Sequence, residues 1–193
     1  GKAYVVASGA AVGSAPGATG YAMGDRITLA RVALDPSRPD AVNDPERWEF
    51  FVARSRAHGV DRWSKHAQDA TPIFEWKHRA GPATLTYHPE SGCYLLVVAA
   101  RNSSCGLGAA GWKGCSNDVY IAEASSITGP YRLVSYMQDF GPGAYFPIVP
   151  SKFLRNDSSG VLMFSAFDRP TASSDPPMAA YSLSVVEFQL LPA

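Results

Sequence analysis

The sequence lacks an excess of charge of either sign. Its 193 residues include 17 Lys and Arg residues and 17 Asp and Glu residues, so the formal net charge is zero. A chain with balanced charge has no long-range attraction to nucleic acid or to an anionic membrane surface. The chain also lacks any apolar run that approaches the roughly 20 residues of a membrane-spanning helix. We therefore expect neither nucleic acid nor a membrane among its partners.

Motifs that indicate a cofactor are missing as well. The four histidines show no His-x-His or His-Glu-x-x-His spacing, so a transition metal has no recognisable ligand pattern. The glycine-rich run at 106–111 lacks the Lys-Ser/Thr pair that completes a phosphate-binding loop. No Gly-x-Ser-x-Gly motif offers a nucleophilic serine. The sequence therefore predicts no cofactor.

Cysteine is scarce, and the three cysteines differ in their surroundings. Cys105 and Cys115 flank the loop CGLGAAGWKGC, and their separation allows a disulfide between them. Cys93 lies in an apolar run, where we expect either a buried thiol or a pair with a segment outside this chain.

Two N-glycosylation sequons favour an extracellular location, as a disulfide does. Asn102-Ser103-Ser104 and Asn156-Asp157-Ser158 are N-glycosylation sequons in turn-like stretches. The chain opens Gly-Lys-Ala-Tyr, without an initiator methionine or a signal peptide, and we interpret this start as processed or excised. The sequence thus predicts a secreted, extracellular glycoprotein that is proteolytically processed.

No long stretch holds a helical apolar period. Short β-branched and aromatic runs alternate instead with clusters of Gly, Pro, Asn and Asp, which predicts an all-β protein. We expect residues 61–74 to be irregular. The predicted strands are 2–10, 25–34, 47–54, 81–89, 93–101, 118–125, 131–140, 144–155, 160–169 and 179–191.

An internal repeat favours a β-propeller over a sandwich or a barrel. Residues 83–102 give a strand, a Pro-Glu-Ser-Gly turn and a second strand, and residues 147–169 repeat this form with Asn-Asp-Ser-Ser-Gly as the turn. A third strand with Tyr and Ala follows each pair. Near the start, YVVASGA, ITLARVA and WEFF match the second, third and fourth strands of the unit, without its first strand.

The predicted fold is an all-β β-propeller fragment of about two and a half to three four-stranded blades. Residues 1–193 would form a single propeller segment, with a partial blade in 1–60, a full blade in 72–140 and, in 141–193, a blade that could close the ring. A closed propeller needs about four to eight blades. We therefore expect an N-terminal fragment of the same precursor to complete the ring, with a strand-swapped oligomer as the alternative. The sequence leaves open whether a calcium ion lies on the propeller axis.

The stretch YIAEASSITGPYRLV (120–134) carries the corner between two of these strands. Gly129 supplies backbone freedom at this corner, and Pro130 fixes its own φ. We expect Tyr131, the next residue, to pack against the following sheet.

This corner belongs to a group of motifs that resembles a known family. TYHPESGCYLL, YIAEASSITGPYRLV and FGPGAYFPIVPSKFL, with a strand ending FSAFD, resemble the C-terminal half of a propeller family of secreted carbohydrate-active proteins. The family includes polysaccharide lyases that act on rhamnose–glucuronate linkages. The chain is more distantly similar to five-bladed glycosidases of the arabinanase and xylosidase type.

The resemblance covers most of residues 25–168 and consists mainly of structural turns. His88 stands where the family usually has Asn, and Tyr131 where it usually has Trp. The loop 102–117 also carries an added cysteine pair. The resemblance implies a propeller whose ligand lies at one end of the central channel, close to the loops that lead into first strands.

One such loop, FEWKHRAGPATL (74–85), concentrates basic and aromatic residues. Trp76 could stack on a sugar face, and Lys77 or Arg79 could neutralise a uronate carboxylate. His78 is the candidate base for the α-proton of the uronate. Tyr145, from the second such loop at 139–148, could complete the chemistry as acid or base. The alternative is a solvated charged loop.

Other polar residues have weaker assignments. We count His88 with Trp76 and Lys77 as substrate-binding, although a turn histidine that hydrogen-bonds its own loop is the alternative. His58 and His66 lie in segments that we expect to be inert surface. A glycosidase needs two carboxyl groups on opposite sides of the scissile bond. No convincing pair emerges from the candidates Glu75, Glu123, Asp139 and Asp168.

The functional expectation is therefore a secreted carbohydrate-active enzyme, a polysaccharide lyase that cleaves next to a uronic acid by β-elimination. A five-bladed glycoside hydrolase and a non-catalytic glycan-binding propeller are the alternatives.

Overall fold

A computed structural model describes residues 1–9, 24–54, 59–101, 117–140, 144–167 and 181–190. These residues form three antiparallel sheets and four short 3-10 segments, and the described part contains no α-helix. None of it forms a helix with the length and apolar character to cross a membrane. The 3-10 segments span Pro39–Asn43, Pro45–Arg47, Ala67–Asp69 and Ser151–Phe153.

The first sheet contains β1 (Lys2–Gly9), β2 (Arg26–Ala33), β3 (Glu49–Arg54), β4 (Asp61–Ser64) and β5 (Pro72–Glu75). Strands β1 to β4 follow one another across the sheet, and β5 pairs with β2. Because β3 meets β2 only at Ala30 and Arg31, the rest of that edge of β2 is open to β5.

The expectation that residues 61–74 are irregular is wrong, since this segment contains β4 and most of β5. Both strands are four residues long, which is too short for an alternating pattern to stand out. Pro72 occupies the first position of β5, where a strand tolerates proline. Because β5 pairs with β2, residues 72–75 belong to the first sheet and not to the second.

The second sheet contains β6 (Ala83–His88), β7 (Cys93–Arg101), β8 (Asn117–Ala124) and β9 (Arg132–Phe140), in that order. Gly129 and Pro130 form the corner between β8 and β9, as the sequence predicts, and Gly129 has a φ of 85°. Tyr131 packs into the cluster between the first and second sheets, so the expected contact with the following sheet is wrong.

The third sheet contains β10 (Tyr145–Ile148), β11 (Ser159–Phe167) and β12 (Tyr181–Gln189). The long strand predicted over 144–155 is therefore wrong, because β10 ends at Ile148 and a 3-10 turn follows at Ser151–Phe153. Pro150 precedes that turn and cannot donate a ladder hydrogen bond. Thr84 and Thr86 of β6 donate their hydroxyls to the carbonyls of Pro147 and Val149, which joins the second sheet to the third.

The second sheet is covered on both faces, and β7 shows how. Its residues Leu96, Val98 and Ala100 pack with β2 residues Ile27 and Leu29 in one cluster. The alternate β7 residues pack with Val149 and Leu162 on the opposite face, and they are Leu95, Val97 and Ala99. Consecutive strand residues point to opposite faces, so the continuous apolar run of β7 requires a neighbour on each side.

Removing one of these side chains should destabilise the chain strongly. Leu96 is fully buried in the first cluster, and Leu96→Ala should cost about 3 kcal/mol of unfolding free energy. Leu34→Ala is the matched control, because Leu34 is 46% exposed and its loss should cost less than about 1 kcal/mol. Urea unfolding curves measure both values. Equal costs for the two variants would contradict the packing described here.

Candidate functional site

One end of the sheets gathers most of the predicted site residues. Strands β5, β7 and β9 finish at this end, and β2, β6 and β8 begin there. Residues 76–79 form the turn between β5 and β6, closed by a hydrogen bond of 3.0 Å from the Arg79 amide to the Trp76 carbonyl. The turn thus carries Trp76, Lys77, His78 and Arg79 together, as the sequence predicts.

The two residues that precede β2, Gly24 and Asp25, hold this turn in place. The amide of Trp76 donates to the Asp25 carbonyl at 2.9 Å, and the amide of Ala80 donates to the Gly24 carbonyl at 2.8 Å. Gly24 is required there, because a Cβ at this position would lie 2.2 Å from the Ala80 carbonyl oxygen. The position of the turn is therefore fixed by a close backbone approach.

Asp25 also orients His78. Its carboxylate accepts the His78 amide at 2.8 Å and lies 3.4 Å from His78 Nδ1. The Asp25 side chain is 6% exposed, whereas that of His78 is 51% exposed. His78 has a φ of 58°, a left-handed conformation that the amide hydrogen bond to Asp25 supports. The arrangement presents to solvent an imidazole whose Nδ1 faces a buried carboxylate.

Arg79 lies in a buried polar network centred on Asp118. Its Nη1 is 2.6 Å from Asp118 Oδ2 and 2.8 Å from the Tyr120 hydroxyl. The Tyr136 hydroxyl and the Asp139 amide also donate to Asp118, whose side chain is 1% exposed. Burial opposes the charge of Arg79, but Tyr120 and Asp118 outweigh it and raise the Arg79 pKa. This guanidinium therefore already holds a carboxylate of the chain itself.

Three aromatic rings run alongside the network. The Trp76 and Tyr120 ring centroids lie 4.9 Å apart, and Tyr120 stacks on Tyr136 at 5.1 Å with an interplanar angle of 9°. Tyr120 is buried, whereas Trp76 and Tyr136 are 41% and 49% exposed. The two outer rings therefore offer aromatic surface to a ligand, and the inner ring joins them.

Burial and the neighbouring charges keep the tyrosines of this row protonated. Burial is the main cause that raises the pKa of Tyr120 from its ordinary value near 10 to about 12. Partial removal from water and the hydrogen bond to Asp118 raise the pKa of Tyr136. Both hydroxyls therefore act as hydrogen-bond donors at neutral pH.

The structure separates the remaining candidates from this cluster or leaves them outside the described residues. His88 is buried at the opposite end of β6, and its Nδ1 lies 2.7 Å from the Ser91 hydroxyl. This is the turn-histidine alternative, and it separates His88 from the other proposed substrate-binding residues. The side chain of Tyr145 lies outside the described part, as do His58, Asn102, Cys105, Cys115 and Asp168.

The other predicted polar residues are accounted for individually. Asn156 lies exposed in the turn before β11, and His66 is exposed beside the 3-10 segment at 67–69. Cys93 is a free, half-buried thiol. Glu123 pairs with Arg132, and exposed Glu75 ends β5. Within the described residues, no group of three or more His, Cys, Asp or Glu side chains could hold a metal ion.

Sequence reasoning missed Asp25, Asp118, Tyr120 and Tyr136. Asp118 and Tyr120 are two residues apart on β8 and therefore share a face, and β9 places Tyr136 directly opposite Tyr120. The available signal was Asp118 directly before the apolar run Val119–Ala122, with Tyr120 two residues away on the same face of the strand. The contact of Asp25 with His78 joins residues 53 positions apart and had no local signal.

The Asp118 network should contribute substantially to stability. Asp118→Ala leaves the Arg79 guanidinium without its buried carboxylate, and this should cost about 3 kcal/mol of unfolding free energy. Glu123→Ala is the matched control, because its partner Arg132 is 66% exposed and such pairs contribute about 1 kcal/mol or less. Chemical denaturation measures both, and similar losses in the two variants would contradict a buried network.

Tyr120 should make the stability depend on alkaline pH. Its pKa is raised in the folded chain, so its contribution is fully present below pH 10 and is lost as pH rises from about 10 through about 12. Tyr120→Phe should remove this component. We expect the difference in unfolding free energy between wild type and variant to shrink across that range. A difference that is independent of pH would contradict the buried position of the hydroxyl.

Comparison of the chain with protein-family models, with curated proteins and with solved structures gives no match. The chemistry of the site therefore has to be inferred from the turn at 76–79, the three aromatic rings and the network around Asp118.

Proposed function

We propose that the chain is part of a secreted β-propeller that acts on carbohydrate, as a polysaccharide lyase cleaving beside a uronic acid. The observation that carries this proposal is the juxtaposition in one turn of an exposed Trp76 ring and an exposed His78 backed by buried Asp25. The ring provides a surface for a sugar, and the imidazole provides a base.

The sheet arrangement supports the propeller part of this proposal. Three antiparallel sheets follow one another along the chain, and the middle one packs against its neighbours on both faces. Propeller blades are small antiparallel sheets that pack face to face in chain order. The loops at one end of such sheets are a natural place for a ligand, and the turn at 76–79 lies at one end of this stack.

The aromatic row supports binding of a sugar. Indole and phenol rings stack against the apolar face of a pyranose while their polar atoms hydrogen-bond its hydroxyls. Trp76 and Tyr136 are partly exposed, and both rings contact the buried ring of Tyr120. A rigid pair of this kind loses little side-chain entropy when it binds.

The chemistry of β-elimination fits His78. The uronate α-proton passes to His78 Nε2, the electron pair of the broken C–H bond forms the new carbon–carbon double bond, and the glycosidic oxygen leaves with a proton from an acid. Asp25 faces Nδ1 and stabilises the imidazolium that results. Tyr145 remains the proposed acid.

The substrate carboxylate needs a cation, and Lys77 suits this role better than Arg79. Lys77 is exposed in the turn, whereas Arg79 pairs with Asp118 and Tyr120. An ammonium group can neutralise a carboxylate as a point charge. We therefore propose Lys77 as the carboxylate ligand and Arg79 as a positioning residue that fixes the turn against β8.

An assay on acidic polysaccharides distinguishes the possible activities. Ultraviolet absorbance of an unsaturated uronate product indicates a lyase. New reducing ends without that absorbance indicate a hydrolase, and binding without either product indicates a glycan-binding module. The second and third results would each contradict the elimination mechanism.

Variants of the turn test the assigned roles. His78→Asn should reduce kcat about a hundred-fold or more while sugar binding persists, because asparagine tolerates a positive φ but is not a base. Trp76→Ala should raise KM by weakening stacking. His66→Ala, which changes an exposed histidine outside the turn, is the control and should leave both constants unchanged. Normal kcat in His78→Asn would remove His78 from the mechanism.

A further inference from the structure

Tyr136 is an exposed aromatic residue that the proposed elimination step does not use. Its side chain is 49% exposed, and it lies on β9, the outer strand of the second sheet in the described part of the chain. Stacking on Tyr120, with an interplanar angle of 9°, covers one face of the Tyr136 ring. The opposite face of this ring is therefore the one that a ligand can reach.

The Tyr136 ring is held in a fixed orientation before any ligand binds. Its hydroxyl donates to Asp118 Oδ2 at 3.0 Å, and the Asp118 carboxylate is itself buried and paired with Arg79. The backbone of Tyr136 lies directly opposite Tyr120 in the ladder between β8 and β9. An aromatic side chain that is anchored through both its backbone and its hydroxyl loses little conformational entropy when a sugar stacks on it.

The same ring is separate from the turn that carries the proposed base. Tyr136 makes no hydrogen bond or ring contact with residues 76–79, all of which the structure describes. Trp76 and Tyr136 contact Tyr120 at centroid distances of 4.9 and 5.1 Å and do not contact each other. The two exposed rings are therefore distinct surfaces, joined only through Tyr120. A sugar that stacks on Trp76 beside His78 leaves Tyr136 available for a different sugar.

We propose that Tyr136 forms a second sugar subsite, occupied by a residue of the polysaccharide other than the uronate that reacts at His78. This inference rests on the proposed function and adds a substrate requirement to it. The ligand must be an oligosaccharide or polysaccharide that is long enough to reach from Trp76 to Tyr136. Tyr136 is then a specificity-determining residue for chain length, and it takes no part in the proton transfers.

The hydrogen bonding of Tyr136 indicates how this subsite recognises a sugar. Its hydroxyl already donates its proton to Asp118, so the residue meets a ligand with the open face of its ring. Stacking on a ring face requires an apolar patch of C–H groups on the sugar and no particular hydroxyl. The subsite therefore selects for the length of the chain more strongly than for the identity of the second sugar.

Binding of oligosaccharides of increasing length tests the subsite without requiring turnover. Polygalacturonate, alginate and hyaluronan are cut by partial acid hydrolysis into size-fractionated oligosaccharides, and titration calorimetry gives the Kd for each length. We expect the Kd to fall about ten-fold once the chain is long enough to reach Tyr136, the gain expected from one further aromatic stacking contact. Trp76→Ala should weaken binding at every length.

Three variants separate the ring of Tyr136 from its hydroxyl and from general effects. Tyr136→Leu should abolish the gain in affinity with length, because it removes the stacking face. Tyr136→Phe should keep most of the gain, because it keeps the ring and loses only the hydrogen bond to Asp118. Tyr87→Leu is the matched control and should retain the gain. Tyr87 is 46% exposed and lies at the end of β6 away from the turn.

The outcomes distinguish this inference from the proposed function. Equal affinity for short and long oligosaccharides would remove the subsite, as would a loss in Tyr136→Phe that is as complete as in Tyr136→Leu. A gain with length that Tyr136→Leu abolishes would support the subsite even without an unsaturated product, and only the elimination chemistry would then fail. Failure of every oligosaccharide to bind would contradict sugar binding at the turn, and the subsite with it.

Discussion

Strand β7 is apolar on both of its faces, so it can be buried only between two other sheets. Leu95 through Ala100 are six consecutive buried residues, and a strand cannot bury such a run against a single neighbour. The first and third sheets supply one cover each, through Ile27 and Leu29 on one side and Val149 and Leu162 on the other. The position of the second sheet between the other two follows from this need.

The candidate site is a consequence of the same packing. The contact between the first two sheets brings the start of β2 against the turn that leads into β6, so that Asp25 reaches His78. On the other side of the turn, Arg79 reaches Asp118 and Tyr120 of β8. Two buried carboxylates thus hold one short turn from two sheets. The exposed residues Trp76, Lys77 and His78 owe their fixed positions to partners that solvent does not reach.

The third sheet shows the exposure that results when a strand is not packed between two neighbouring sheets. The second sheet has four strands and a neighbour on each face, whereas β12 in the third sheet leaves Leu183 and Val185 exposed. Strands β8 and β12 occupy the same position in the repeat. Their difference in exposure therefore comes from what packs against them and not from the type of strand.

Local sequence patterns predict most of the strands. The predicted strand 93–101 has the bounds of β7, and most of the others differ from the observed strands by no more than two residues at either end. The prediction for residues 61–74 is wrong because β4 and β5 are too short for an alternating pattern to be recognised. The strand predicted over 144–155 is wrong because a 3-10 turn follows β10. The site prediction likewise found the residues of the turn but none of their buried partners.

Local patterns are enough to predict the all-β class and the turn that concentrates Trp76, Lys77, His78 and Arg79, because alternation and turn chemistry act over a few neighbouring residues. The packing of the sheets, and not any local pattern, places Asp118 against Arg79 and Asp25 behind His78. These contacts join residues far apart in the chain, and they exist only when the sheets pack face to face.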